Sequence, residues 1–453
     1  GEAEVMAAQL VKSPLGLIRA ASAGLDPVGF FRRHAAQPCP FELSFPGLGE
    51  VTFFGTPDAA RDILTIPANL SEAPTPNPIE AVVGPGSLIL LSGEQHRRER
   101  GLLQPAFHGE RIKSYGDIIA AATADEIRSV RPGESIGMRE LAVAITLHVA
   151  IRVVFSVADA DRRTEYTRAV TALMRANTAP LMLVPALRRE LGGHGPWARL
   201  VRLRDDLDRL LSDDMALRQP DSPAGADMLD VLLSAVDPDA TGEPGLAIHD
   251  QLRTLLAAGH ETTATSMMWA LYHIYRDESV RERVAAELAH CRAPAEITAL
   301  PYLGAVIKEA LRLHPPVPIV LRRLKEPLTV GGVACAAGKI VGIALYALHF
   351  NPSVWPDPDR FDPDRFLRSR ISPFEYAPFG GGYRRCIGAA FASCELAVAI
   401  ATIMQTLELR MPEREQNRRE PRSVARGIAV APAREITLDV IDRQPVAVTG
   451  GGR

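Results

Sequence analysis

The chain has 453 residues, of which 47% are hydrophobic and 23% charged, a composition typical of a globular protein with a large buried core. The formal net charge of -3 and the even spread of Lys and Arg along the chain argue against nucleic-acid binding. Five cysteines without CxxC spacing indicate neither a disulfide framework nor a zinc or iron-sulfur site, and they favour a reducing compartment.

The N-terminal stretch from Gly1 to Phe31 is weakly amphipathic and is interrupted by Pro14 and Pro27. It lacks the unbroken apolar segment of a signal peptide. No apolar run approaches the roughly 18 residues that span a bilayer. We therefore expect a cytoplasmic protein without a membrane anchor, in which about the first 20 residues form a short extension.

The first half of the chain reads as a strand pair followed by helices. Two strands between Pro40 and Gly55 are predicted to meet at the turn Pro46-Gly47. Gly- and Pro-rich loops are predicted at Pro180–Pro196 and, around one short helix, at Pro220–Gly245. Apolar residues recurring at three and four positions predict helices at Gly109–Val130, Met138–Val157, Arg163–Arg175, Trp197–Leu217 and Met228–Val236.

The second half contains the strongest helical signal. No proline occurs between Pro244 and Pro294, and the apolar pattern from Ile248 onward predicts one unusually long helix through the interior of a domain. The length alone indicates two or three domains. No clear interdomain linker is visible, so a single large domain is an alternative interpretation. Further predictions are a helix at Tyr302–His314 stopped by Pro315, strands around Gly331-Gly332, irregular coil at Asn351–Pro378, a helix at Ala389–Leu407 and a strand at Ile436–Ile441.

The strongest chemical signal is the run FGGGYRRCIG, which delivers Cys386 to the start of an apolar helix. A lone cysteine is more often an inert buried residue, and a glycine-rich phosphate loop is excluded by the spacing. The run resembles the haem-binding loop of cytochromes P450. The resemblance implies that Cys386 is the axial thiolate ligand of haem iron, with Phe379 beside it, Gly380 and Gly388 allowing close backbone approach, and Arg384 paired with a propionate.

A second match, AGHETT at residues 258–263, lies in the middle of the long predicted helix. It resembles the oxygen-activation motif of the same family. The resemblance implies that Ala258 and Gly259 leave a gap for dioxygen and that Glu261 and Thr262 help to deliver the protons that cleave the O–O bond. Thr262 and its neighbour Thr263 can instead bond back to the preceding helical turn, which is a common habit of threonine.

Two further matches follow the order of the family. Glu309 and Arg312 lie three positions apart on one helical face, and the segment FDPDRF contains Arg365. The resemblance implies a buried network of these three residues beneath the haem. His96 and Arg100 stand where the family has a WxxxR helix, and Arg322 aligns with another propionate contact, although Arg323 competes for that assignment. Arg97, Arg98 and Glu99 read as a solvated charged face.

Family membership implies one cytochrome P450 domain over residues 1–453, mainly α with a small β-rich region, and haem b between the long helix and the cysteine loop. It also implies a monooxygenase that hydroxylates or epoxidises a lipophilic substrate, of terpenoid, fatty-acid, steroid or polyketide type, in secondary metabolism. O₂ is the co-substrate. Electrons from NAD(P)H are expected to arrive through a reductase and a ferredoxin or flavodoxin, and the protein is expected to be a monomer.

The apolar segments that this family uses for its pocket provide candidate substrate contacts, each of which can equally be core packing. A docking face for the electron donor is predicted to include Arg97, Lys113, Arg384 and Arg385, although these residues can equally be scattered solvated charges. Alternatives with the same fold are a peroxygenase, an isomerase or dehydratase, and a non-catalytic haem carrier or gas sensor. The pocket candidates are Leu90, Ala257, Val317, Ile319, Val320 and Ile428.

Overall fold

The computed structural model describes residues 26–35, 39–45, 48–155, 157, 159–177, 181, 187–189, 192–217, 228–235, 247–426 and 429–444. Helices dominate these residues, and the strands form small sheets. The helices are α1 (Pro27–Arg32), α2 (Pro57–Leu64), α3 (Glu80–Val83), α4 (Gly93–Leu103), α5 (Glu110–Glu126), α6 (Met138–Phe155), α7 (Ala160–Ala176), α8 (Pro196–Ala216), α9 (Met228–Ala235), α10 (Ile248–Arg276), α11 (Glu278–Leu288), α12 (Pro294–Thr298), α13 (Pro301–Leu313), α14 (Leu345–His349), α15 (Arg365–Arg368), α16 (Ala389–Thr406) and α17 (Glu413–Gln416).

The strands of the described residues are β1 (Phe41–Phe45), β2 (Gly49–Phe54), β3 (Ser71–Glu72), β4 (Ser135–Gly137), β5 (Ile319–Leu324), β6 (Leu328–Val330), β7 (Val333–Cys335), β8 (Ile340–Ala344), β9 (Leu407–Arg410), β10 (Ser423–Arg426), β11 (Ala429–Pro432) and β12 (Thr437–Arg443). The largest sheet has five strands in the order β1-β2-β8-β5-β3, with only β2 and β8 parallel. A three-stranded sheet has the order β4-β12-β9, and β6-β7 and β10-β11 are antiparallel pairs.

The long predicted helix is α10, which has 29 residues. It ends at Arg276 because Asp277 has extended backbone angles and its carboxylate accepts the amide hydrogens of Ser279 and Val280, which begins α11. The proline-free stretch therefore forms two helices. Burial along α10 is nearly continuous from Thr263 to Tyr275, and α10 packs against α6, α13 and α16 at the centre of the main apolar core.

The mainly α fold and most helix positions confirm the expectations from the sequence. The helix expected at Tyr302–His314 is α13, and the coil expected at Asn351–Pro378 is irregular except for the four residues of α15. The apolar periodicity did not predict α2. This helix begins at Pro57, where the side chain of the N-cap residue Thr56 accepts a hydrogen bond from the amide of Ala59. Parts of both predicted Gly- and Pro-rich loops lie outside the described residues.

Within the described helices, α16 alone has the length and apolar composition of a membrane span, and 61% of it is buried inside the protein. Helices α6 and α7 meet the same criterion only when they are taken together across a bend of 114°. A buried core helix has the same length and composition.

Candidate functional site

The cysteine loop is a tight turn that packs against the end of α2. Gly380 and Gly382 have φ angles of 64° and 63°, a conformation that favours glycine. A Cβ atom on Gly382 would lie 1.9 Å from the carbonyl oxygen of Leu64. The loop closes where the amide of Cys386 donates to the carbonyl of Phe379 at 2.9 Å. Only glycine fits at position 382.

Cys386 lies just before α16, where Gly388 is the N-terminal cap. Burial raises the pKa of the Cys386 thiol, whereas the Gly388 amide, Arg100 and Arg385 act in the opposite direction. Protein atoms surround this cysteine closely, yet its side chain keeps a large accessible surface. The two observations agree if the sulfur faces an internal space. The setting favours a thiolate once a cation lies in front of it.

Basic residues from three separate segments gather around the ring of Tyr383. The ring of His96 meets that of Tyr383 edge-on at 5.5 Å. The guanidinium carbon of Arg322 lies 5.8 Å from the same ring centre and that of Arg384 5.5 Å. His96 and Arg322 are 3% and 4% exposed. The structure therefore brings together three residues that the sequence separates by up to 288 positions.

The electrostatics of this cluster are those of cations without an anion. Burial, followed by the charges of Arg384, Arg100 and Arg322, lowers the pKa of His96 to about 4. Burial and then Arg384 lower the pKa of Arg322 to about 10. The Nε atom of Arg322 is buried and has no hydrogen-bond partner. A bound anion would relieve the repulsion and the desolvation together.

Arg384 points inward. Its guanidinium donates to the carbonyls of Ile89, at 3.2 Å, and Leu91, and to the hydroxyl of Ser92 at 3.0 Å. These contacts hold its charge within the cluster, and its place in a docking face stays a prediction. Tyr383 belongs to the loop motif, but no feature of that motif indicates its role at the centre of the cluster.

The structure also separates Arg322 from Arg323. Arg322 is buried in the cluster, whereas Arg323 donates to the carbonyl of Thr75 at 2.7 Å and lies 3.8 Å from a carboxylate oxygen of Glu72. Glu99 is 2% exposed, so its assignment to a solvated face is wrong. It lies on the inner side of α4, where its side chain bonds that of Gln251.

The motif expected to activate oxygen lies near the middle of α10. The hydroxyl of Thr262 donates to the carbonyl of Ala258 at 2.6 Å, as the alternative interpretation of this motif expects. A Cβ atom added to Gly259 would meet nothing within 4 Å, so space adjoins the helix there. His260 is 5% exposed, and burial lowers its pKa to about 4. Glu261 and Thr262 are half-buried.

Glu309, Arg312 and Arg365 form a buried ion-pair network. Arg312 donates to both carboxylate oxygens of Glu309, at 2.7 and 2.8 Å, and both side chains are 0% exposed. Arg365 reaches the same carboxylate at 3.3 Å and also donates to the carbonyl of Asp357 at 2.7 Å. The network therefore links α13 to the coil that precedes the cysteine loop.

The expected pocket residues are dispersed. Leu90 and Ala257 belong to the main core, whereas Ile319 and Val320 pack against two other apolar clusters. Val317 is 40% exposed, and Ile428 lies outside the described residues.

Among the described residues, His273, His314 and Glu420 form a group whose spacing is compatible with a metal site. The two Nε2 atoms are 2.9 Å apart, the ring centres are 5.1 Å apart and the ring planes differ by 25°. This geometry places the two nitrogens head-on, as in an N–H···N hydrogen bond between neutral imidazoles. Their lone pairs do not converge on a common point, so the group is a buried hydrogen bond that joins α10 to α13.

The chain matches the family model described as Cytochrome P450 over residues 30–438. It is 33% identical over 372 residues to putative cytochrome P450 135B1 of Mycobacterium tuberculosis, covering 82% of this chain and 78% of the relative. It is also 33% identical over 410 residues to putative cytochrome P450 138 of the same organism, covering 89% and 88%.

Solved structures share the fold. Retinoic acid bound cyanobacterial CYP120A1 superimposes with a TM-score of 0.77 at 24% identity, covering 91% of this chain and 93% of that one. Cytochrome P450 CYP102L1 superimposes with a TM-score of 0.76 at 26% identity, covering 92% and 95%. Fold and sequence together define a haem-dependent monooxygenase. The chain belongs to the cytochrome P450 family.

The residues present fit the haem that this family binds. The cluster of His96, Arg100, Arg322 and Arg384 supplies donors for two carboxylates, and the Nε atom of Arg322 has no other partner. Cys386 supplies a sulfur with an accessible surface, and Gly259 borders open space on α10. An anionic, iron-containing disc satisfies all three features.

Proposed function

We propose that Cys386 is the axial ligand of haem iron, that His96, Arg100, Arg322 and Arg384 bind the propionates, and that Phe379, Gly380 and Gly388 shape the ligand loop. The observation that carries this proposal is the buried cationic cluster, in which burial and the neighbouring charges lower the pKa of His96 and of Arg322. When bound, the haem supplies the chemistry of dioxygen activation, which a thiolate ligand promotes by electron donation to iron.

The second part of the proposal concerns Glu261 and Thr262. The hydroxyl proton of Thr262 is engaged with the Ala258 carbonyl, so the oxygen lone pairs remain to accept a hydrogen bond from a water molecule in the space beside Gly259. Glu261, half-buried on the same helix, exchanges protons with solvent and passes them to that water. When the Thr262 hydroxyl rotates away from the Ala258 carbonyl and donates its own proton to the oxygen being reduced, the water returns a proton to Thr262.

We propose a lipophilic substrate of terpenoid, fatty-acid, steroid or polyketide type, because Leu90, Ala257, Val317, Ile319, Val320 and Ile428 are all apolar. Electrons from NAD(P)H through a reductase and a ferredoxin or flavodoxin belong to the same proposal. The other docking candidates are exposed and remain in the proposal: Arg97, Lys113 and Arg385. The cytoplasmic location, the monomeric state, the role in secondary metabolism and the single domain over residues 1–453 remain predictions.

Thr262→Ala tests the proton-delivery role, with Thr263→Ala as the matched control because Thr263 is 3% exposed within the core. The assay uses a surrogate ferredoxin and reductase and the compound that gives the largest spin-state shift in a panel of fatty acids, steroids and terpenoids. We expect Thr262→Ala to retain haem but to divert electrons to H₂O₂, lowering product per electron pair by about tenfold or more.

The reduced, CO-bound spectrum is recorded for every variant. A Soret band at about 450 nm establishes the thiolate ligand, and its loss in Cys386→Ser assigns that ligand to Cys386. Unchanged coupling in Thr262→Ala, or equal uncoupling in Thr263→Ala, would overturn the role of Thr262. Equal turnover with H₂O₂ alone would favour a peroxygenase, and product formation without reductant would favour an isomerase or dehydratase.

A further inference from the structure

His349 occupies a fully buried position between the ion-pair network and the cysteine loop. It is the last residue of α14 and is 0% exposed. Its ring stacks on that of Tyr376, with ring centres 5.5 Å apart. None of the motifs found in the sequence includes this histidine. Its position indicates that it connects two parts of the structure that hold the candidate haem ligand.

The hydrogen bonds of His349 determine its protonation state. The amide of Ala377 donates to Nε2 at 3.1 Å, so Nε2 is an acceptor. The proton of a neutral ring must then be on Nδ1, which lies 3.2 Å from the carbonyl of Arg312 and donates to it. Burial, and then the charge of Arg312, lowers the pKa of His349 to about 3. The ring is neutral near pH 7.

On one side, two hydrogen bonds connect His349 to Arg312 of the ion-pair network. Besides the bond from Nδ1 to Arg312, the guanidinium of Arg312 donates to the carbonyl of His349 at 2.8 Å. The same guanidinium binds Glu309 through two nitrogens. Rotation of the imidazole would leave polar groups without partners in the protein interior, so its orientation is strongly constrained.

On the other side, His349 holds the start of the cysteine loop. Ala377 donates its amide to His349 and accepts the amide of Gly380 at 2.9 Å. Two residues further along, the carbonyl of Phe379 accepts the amide of Cys386 at 2.9 Å. A continuous series of short contacts therefore connects Glu309 and Arg312 through the imidazole to Cys386.

We propose that His349 is a positioning residue that transmits the fixed geometry of the Glu309–Arg312 pair to the loop that carries Cys386. The proposal rests on the proposed role of Cys386 as haem ligand. His349 acts through the backbone of Ala377 and sets how firmly the sulfur is held. Its loss should loosen the loop and favour loss of the thiolate ligand.

Two substitutions by amide side chains, made in the holoenzyme, distinguish the hydrogen bond at Nε2 of His349 from the one at Nδ1. In His349→Gln, the side-chain carbonyl reaches the position of Nε2 and can accept from the Ala377 amide. In His349→Asn, the shorter side chain reaches only the position of Nδ1, so it can donate to the Arg312 carbonyl and leaves the Ala377 amide without its acceptor. Leu348→Ala is the matched control, because Leu348 is equally buried on the same helix and packs in the same apolar cluster as Ala377, but its side chain supplies none of these hydrogen bonds, so the truncation removes packing alone.

The measurements are the ratio of the 450 and 420 nm forms in the reduced, CO-bound spectrum, the reduction potential, and hydrogen exchange of the Ala377 amide. We expect His349→Asn to speed conversion to the 420 nm form and exchange at Ala377 by about tenfold or more. His349→Gln should stay close to wild type in both. Leu348→Ala should lower the melting temperature and leave the ratio and the potential unchanged.

Equal behaviour of the Gln and Asn variants, or a similar change in Leu348→Ala, would overturn the proposal. If the Asn variant does not accumulate, the Gln variant decides alone: an Ala377 exchange rate and a 420 nm fraction like those of wild type support the proposal, and faster exchange with a larger 420 nm fraction contradicts it. A wild-type protein without a band at about 450 nm would instead refute the role of Cys386, whereas exchange at Ala377 would still report whether His349 holds the loop.

Discussion

Arg322 and Arg323 show how one position along a strand decides which of two neighbouring arginines is buried. Side chains in a strand alternate between faces, and β5 directs Arg322 into the cationic cluster and Arg323 toward Thr75 and Glu72. The motif LRRL could not distinguish them. Pairing of β5 with β8, in which Arg322 is opposite Val341, settles which of the two lies inside.

Arg322→Leu should weaken haem retention, whereas Arg323→Leu should leave it close to wild type. Of these two arginines, Arg322 has the buried Nε atom without a partner that can donate to a carboxylate. A charge-assisted hydrogen bond of this kind contributes about 1.5–3 kcal/mol to binding. We expect haem transfer to apomyoglobin to be at least about tenfold faster in the first variant. Equal transfer from both variants would show that Arg322 does not bind a propionate.

At the scale of elements, α16 combines an apolar core helix with a buried acid. Glu395 is 1% exposed, and one of its carboxylate oxygens has no hydrogen-bond partner. Burial raises the pKa of this carboxyl well above its ordinary value. The folded protein therefore retains a proton that the unfolded chain releases above its ordinary pKa near 4.5. Stability contributed by the protonated acid is present at low pH and is lost as pH rises.

Glu395→Gln should stabilise the protein relative to wild type at pH 7.5, and the advantage should shrink toward pH 5.5. Between the pKa of Glu395 in the unfolded chain and its pKa in the folded protein, the free energy of unfolding of wild type falls by about 1.4 kcal/mol for each pH unit, because the folded protein must keep the proton. The measurement is thermal unfolding of both proteins at several pH values. Glu408→Gln, at an exposed position of β9, is the control and should show no such trend. A difference between Glu395→Gln and wild type that does not vary with pH would contradict the buried, protonated state.

At the scale of the whole molecule, a set of hydrogen bonds joins residues 82–88, which are the end of α3 and the loop after it, to the first turns of α10. The two segments are more than 160 positions apart. Gly86 donates to the carboxylate of Asp250 at 2.7 Å and accepts from Gln251 at 2.8 Å, and Arg253 donates to the carbonyl of Val82 at 3.0 Å. A Cβ atom on Gly86 would lie 2.4 Å from that of Ala247. This close approach leaves no room for a larger residue at position 86.

Gly86→Ala should therefore destabilise the protein by about 1–3 kcal/mol, because the loop must move away from α10 and lose these bonds. Gly101→Ala is the matched control: it lies in α4, and nothing occupies the 4 Å around its added Cβ. It should stabilise by about 0.5–1 kcal/mol. Equilibrium unfolding in urea measures both changes. A stabilising Gly86→Ala would show that the loop does not rest on the helix as described.

The sequence by itself determined much of the architecture. Periodicity located α13 and α16 to within a few residues and the start of α10, but not its end, because a helix that lies on a core repeats its apolar face locally. The loop around Cys386 and the motif at Thr262 were recognisable because their residues are contiguous. The sequence also placed Glu309, Arg312 and Arg365 together, by resemblance to the family, and their contacts are present in the structure.

Only the tertiary structure decided which polar groups are buried and what they contact. It placed Arg322 and Arg384 in the cluster, buried Glu99, and brought His349 between Arg312 and Ala377. Periodicity reports which face of an element is apolar, but a buried polar group depends on what distant segments bring to it. The partners of His349 are 37 and 28 positions away, and those of Arg384 almost 300. No local pattern encodes contacts of that range.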